Sequence, residues 1–325
     1  MKAFLTIAAN TFRELARQPV YLLLTTASIS FSIVIAGLPY FGFGDDPKLV
    51  RDGALAVTLL AGLLAAVLSA SSSVTEEIRK GTALAVLSKP IDRLTFVMGK
   101  YCGIAWAITL LTLLNTLSAL LASRMAYDAY GNADLLGIGI FFAGIAGAYL
   151  IGAFINYFHH ANYAAATFWS QLFIVIGVFV LLAFFITLQQ PGNEHANQVD
   201  WRLVPAGALI LVALLIFCGI ALACSTRLDT VPTLVVCTVL FLAGLVSDHF
   251  FGRAAASGAW WGHLGYALLP NWQLFWITDA IQGDRSIDGI WGYFAKSLVY
   301  LAGYLGAALV VACSLFANRD LNSEQ

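Results

Sequence analysis

Long stretches without Asp, Glu, Lys or Arg divide this chain, and they fix the solvent it can fold in. They run from Gln18 to Gly44, Gly53 to Thr75, Tyr101 to Ser123, Leu135 to Asn193, Leu203 to Thr226, Thr230 to Ser247 and Ser297 to Asn318. A helix rises about 1.5 Å per residue and a bilayer's hydrocarbon core is about 30 Å thick, so about 20 apolar residues cross it. Leu135 to Asn193 is long enough for two crossings, with a turn near His159, His160 and Asn162. The expectation is eight spans, near 20–42, 51–73, 101–123, 135–157, 168–188, 204–223, 231–249 and 295–316. Backbone groups in lipid must bond within the chain, and nothing here alternates over ten-residue strands, so a β-barrel is excluded. The fold class is all-α: a polytopic transmembrane helical bundle. Composition agrees, at 60% hydrophobic and 11% charged residues with a mean hydropathy of +0.83. A formal charge of -1 without a basic tract gives no reason for a nucleic-acid partner.

Charge collects instead in one connection, Val74 to Lys100, reading VTEEIRKGTALAVLSKPIDRLTFVMGK. It holds Glu76, Glu77, Arg79, Lys80, Lys89, Asp92, Arg93 and Lys100, eight charged residues between two apolar spans. The segment is expected to begin as helix, lose regularity at Gly81 and stop before Pro90, which disfavours helix at Lys89. Asp92 is placed to cap the next helix. Leu84, Val86, Leu87, Ile91, Leu94 and Phe96 are too many apolar residues for a solvated loop, so part of this island should pack. By charge alone it also reads as an ordinary cytoplasmic loop. With the N-terminus in the cytoplasm, ten of the 17 basic residues fall inside and seven outside, five of the ten in this island.

Residues 1–18 place Phe4, Ile7, Ala8, Thr11 and Leu15 at helical spacing, which predicts an amphipathic interfacial helix before Pro19; the alternative is an extension of the first span. The start lacks a signal-peptide layout and is expected to be retained. Residues 251–294 carry Trp260, Trp261, Trp272, Trp276 and Trp291, broken by glycines and Pro270. Tryptophans favour membrane interfaces, so this stretch reads as short re-entrant or interfacial helices on the outer face.

Catalytic signatures are missing. FVMGKYC lacks the glycine spacing and hydroxyl of a P-loop, and no HExxH, GxSxG or Cys/His cluster occurs. Cys102, Cys218, Cys224, Cys237 and Cys313 read as small buried hydrophobes, without a disulfide framework. Adjacent His159 and His160 point to different helix faces and read as interfacial polarity rather than metal ligands. Glu194, His195, Asp248, His249 and His263 have no catalytic spacing and read as solvated. No charged residue lies in the middle of a predicted span, where ion-coupled transporters normally need one. Asn115, Asn156 and Gln171 are read as interhelical hydrogen-bonding groups.

The island's EEIRKGTALAVLSKPIDRLTFVMGKY resembles the cytosolic segment of ABC-2 type transporter permeases, with Glu76-Glu77, Gly81-Thr82, Lys89-Pro90, Arg93 and Gly99-Lys100 in order. NTFRELAR before the first span, LPNWQLFWITDA before the last and LFANRD at its end are similar to the family's leader and closing pattern. The usual core of that family has six spans, so eight imply six plus an extra hairpin. The resemblance implies one permease domain over residues 1–325, in a bacterial inner membrane with both termini cytoplasmic. It implies a homodimer or heterodimer of membrane subunits resting on a separate cytosolic ABC ATPase that holds ATP and Mg2+, with no cofactor on this chain. Residues 74–100 would be the coupling loop, through Glu76, Glu77, Arg79, Lys80, Gly81, Thr82, Lys89, Pro90, Arg93, Gly99 and Lys100. The chain would export a substrate by alternating access without being an enzyme itself. An ATPase-coupled scaffold or mechanotransmission subunit, and a membrane-embedded enzyme, are the alternative readings. No catalytic residue, metal site or substrate contact is assigned.

Overall fold

The computed structural model of the chain describes residues 2–38, 46–79, 92–126, 134–186, 199–278 and 289–317, with backbone alone for 46, 76–79 and 317. The described residues are helical, without a strand, and eight helices are long and apolar enough to cross a membrane. This is a polytopic helical bundle.

Helix α1 spans Lys2–Ala16 and ends before Gln18, whose extended backbone is what a residue preceding proline prefers. Pro19 then opens α2 (Pro19–Gly37), where its missing N–H costs nothing. The two are separate helices, so α1 does not extend the first span. Helices α3 (Asp46–Arg79) and α4 (Arg93–Met125) flank the charged island. Asp92 sits at the N-cap position of α4, but its side chain makes no capping bond, contrary to expectation. Helices α5 (Leu135–His159) and α6 (Tyr163–Val180) form a hairpin. His160 turns it with a left-handed φ of 53°, and the Asn162 side chain accepts from Ala165 N at 3.0 Å. Helices α7 (Leu203–Ser225) and α8 (Thr230–Ser247) follow.

Residues 248–278 break into short pieces. A π-helical turn (Asp248–Gly252), α9 (Arg253–Ala256), α10 (Trp260–Leu268) and a 3-10 turn (Trp272–Phe275) precede the final helix, α11 (Ile290–Ala317). Trp260 is 76% exposed, whereas Trp272 is buried against Phe217 and Phe241. Gly244 makes this seat possible, since a Cβ there would collide with the Trp272 indole.

Helices α4 and α7 form the centre, with α3 packed against both. Helix α2 lies against α3 and α4, and α11 lies along α7. The α5–α6 hairpin rests at the side, held by Thr26, whose hydroxyl meets Tyr149 Oη at 2.9 Å and donates to Gln171 Oε1 at 3.1 Å. Gln171 therefore bridges helices as its type predicts, whereas Asn115 Nδ2 bonds Leu111 O within its own helix and Asn156 Nδ2 bonds Ala161 O across the hairpin turn. The faces of α5, α8 and α11 turned away from the bundle are apolar and uncovered, as helices in lipid permit.

Candidate functional site: the root of the charged island

The island emerges where α3 ends and α4 begins. Helix α4 has 33 residues, about 50 Å of helix, against a hydrocarbon core of about 30 Å. A tilt of 40°, the upper end of the usual range, absorbs only about 10 Å of that excess. Part of α4 therefore stands outside the hydrocarbon, and α3, with 34 residues, does the same.

Four elements grip this root. Helix α1 is seated on α4 at two glycines spaced four residues apart. A Cβ at Gly99 would lie 2.8 Å from Ile7 Cγ2, and one at Gly103 would lie 2.6 Å from both Ala8 O and Thr11 Cβ. Such spacing lets two helix backbones approach closely. The end of α3 is bonded to the α7–α8 turn: Thr75 Oγ1 lies 3.1 Å from Ser225 O and 3.3 Å from Leu228 O, and Ser71 Oγ meets Thr230 Oγ1 at 2.6 Å. Ser72 Oγ donates to Gln18 Oε1 at 3.3 Å, joining α3 to the α1–α2 turn. The end of α11 closes the ring. Phe316 stacks on Phe96 with centroids 5.4 Å apart, its carbonyl accepts from Arg93 Nη1 at 3.4 Å, and Leu315 O accepts from Arg227 Nε at 3.1 Å.

Glu76, Glu77 and Arg79 lie on the last turns of α3. Lys80, Gly81, Thr82, Lys89 and Pro90, with the expected break at Gly81, lie outside the described residues. Arg93 is exposed at the start of α4. Lys100 is 3% exposed and its Nζ lies 5.8 Å from the Phe96 ring centroid, so it faces the packing of the root rather than water. Gly99 likewise belongs to the seat of α1. Sequence reasoning missed the seat itself, although the Gly99–Gly103 spacing is visible, and it missed Thr75 and Arg227 as ties.

The opposite end of the bundle is also polar. Arg124, 2% exposed at the end of α4, donates to Ile186 O at 2.7 Å and faces Asp134 Oδ2 at 3.7 Å, while Asp134 Oδ1 accepts from Gly137 N at 2.8 Å. Arg51 and Arg202 converge on Asp200 at 2.6 and 3.1 Å. Among the described residues no group of His, Cys, Asp and Glu is arranged to hold a metal ion. Glu194 and His195 lie outside the described residues. No protein-family model matches the chain, and no curated protein matches it.

Proposed function

We propose that this chain is the membrane subunit of an ABC-2 type transporter, an exporter powered by a separate cytosolic ATPase. The observation that carries the reading is the construction of the island's root. A loop that only needed to be soluble would require no such frame. Here α3 and α4 enter the island held by α1, the α7–α8 turn and the end of α11, so a push on the island moves five elements together. Closure of an ATPase pair would drive that unit as a rigid body and alternate access to a path between two copies. Only a difference in ATPase affinity between the two membrane states supplies the drive.

In this reading Glu76, Glu77, Arg79, Lys80, Gly81, Thr82, Lys89, Pro90 and Arg93 meet the ATPase, and Gly99 and Lys100 hold the loop's base. The termini and the island face the cytoplasm of a bacterial inner membrane, and residues 251–294 lie at the outer face. The second copy has a surface to use on α11, where Gly303 and Gly306 face no neighbouring atom within 4 Å.

The test is gentle extraction of a tagged chain from its native membrane. An ATP-hydrolysing partner should co-purify with the wild type, and a Glu77→Ala/Arg79→Ala variant should assemble in the membrane but lose it. A chain that brings down no ATPase ends the proposal.

A further inference from the structure

A second feature of the loop end lies beside the root. Between the α1–α2 turn and the α5–α6 turn is a cavity of about 710 Å3, lined by Arg17, His160, Asn162, Trp169, Ser170 and Phe173 among others. Among the described residues no Asp or Glu lines it. Arg17 has no carboxylate partner among the described residues. Two residues before the candidate span Pro19–Gly37, Arg17 sits at the end of the span, where a bilayer carries its phosphates. One wall is apolar and continues along the outside of α6. Trp169 and Phe173 stack with centroids 6.3 Å apart, Phe12 meets Trp169 edge-on at 6.0 Å, and Phe173 is 67% exposed. The cavity thus presents at headgroup depth a cation with no carboxylate partner among the described residues, and an aromatic rail running into the apolar region.

We propose that this cavity binds one anionic phospholipid, with the phosphodiester against Arg17 and an acyl chain along Trp169 and Phe173. Charge complementarity and the apolar rail select this occupant: a free anion would leave the rail empty, and a zwitterionic lipid would bring its own cation to Arg17. The bound lipid would tie the α5–α6 hairpin to α1, and through α1 to α4. The proposal needs the membrane-spanning fold and does not depend on an ATPase partner.

The full chain in neutral detergent, titrated with short-chain phosphatidylglycerol, phosphatidylcholine or inorganic phosphate and read by native mass spectrometry, tests it. The wild type should retain phosphatidylglycerol in preference to phosphatidylcholine. Arg17→Ala should reduce that preference about fivefold, the effect of one basic residue at an anionic lipid. Ala166→Leu, which puts a bulky side chain into the cavity beside Trp169 and leaves the charge, should weaken phosphatidylglycerol retention similarly. Arg253→Ala, an exposed basic residue elsewhere, should leave both unchanged. Undiminished preference in Arg17→Ala overturns the proposal, as does undiminished retention in Ala166→Leu. Displacement of the lipid by inorganic phosphate at equal concentration would show a small-anion site and overturn it too.

Discussion

The two ends of the bundle handle polarity in opposite ways. At the end opposite the island, charges turn inward: Arg124 and Asp134 are buried side by side, and Arg51 and Arg202 share Asp200. At the island's end the ties are mostly uncharged, made by hydroxyls on carbonyls, glycine seats and stacked rings, with Arg93 and Arg227 each donating to a main-chain carbonyl. Neutral hydrogen bonds between membrane helices are worth about 0.6 kcal/mol each, up to about 1.7. Breaking a buried ion pair costs about 3–5 kcal/mol, because it strands a charge. One end is therefore pinned by charge and the other is held by weaker individual ties; in the proposed reading the bundle would pivot about its far end when its island is pushed.

Asp134→Ala attacks the pinned end and should have the largest effect. It strands the Arg124 guanidinium and removes the cap on Gly137 N, so the loss should be about 3–5 kcal/mol, read as a lower midpoint of thermal unfolding in detergent. Arg124→Met with Asp134→Leu should recover most of that loss, since two apolar groups strand nothing. If the single change were as mild as the double, this end would not be pinned by charge.

Gly103→Val comes next, at the yielding end. Its Cβ would meet Ala8 O and Thr11 Cβ at 2.6 Å, and the nearest atom is backbone, so α1 must shift. Overpacking of this kind costs about 1–3 kcal/mol. Protease cleavage within residues 1–18 should accelerate well below the global unfolding temperature. Cleavage that accelerates only at global unfolding would mean α1 is not held by this seat.

Much of this architecture was legible in the sequence. Charge-free runs gave eight spans because lipid punishes charge within any single helix, a local rule that needs no partner. Pro19 marked the end of α1, and Asn162 marked the hairpin, for equally local reasons. What could not be read was pairing across distance. Arg124 and Asp134 each looked like the flank of a span, and only folding brings them to 3.7 Å. Gly99 was read as part of the coupling loop, and with Gly103 it forms the seat on which α1 packs. Asp92 had the right type and place for a cap, yet its side chain makes no such bond, so propensity located the helix start without identifying what holds it. In the island, the family resemblance made Lys100 an ATPase-coupling residue, and no residue pattern showed that it would be buried, at 3% exposure.

The smallest stability effects should fall on the ties that, in the proposed reading, matter most for transmission. Thr75→Val removes a hydroxyl from between Ser225 O and Leu228 O, at about 1 kcal/mol or less, and Arg227→Ala removes one bond to Leu315 O at a similar or smaller cost. Both proteins should therefore fold and unfold nearly as the wild type does. If the root works as one body, Thr75→Val should still separate the island's motion from that of α7 and α8. Spin labels on α3 near the island and on α8 would report this directly. In the wild type, nucleotide added to the assembled complex should move the two labels together, leaving their separation unchanged. In Thr75→Val the separation should broaden or shift while the unfolding midpoint stays within a few degrees. Labels that remain coupled in the variant would show that packing alone, without this hydroxyl, carries the push.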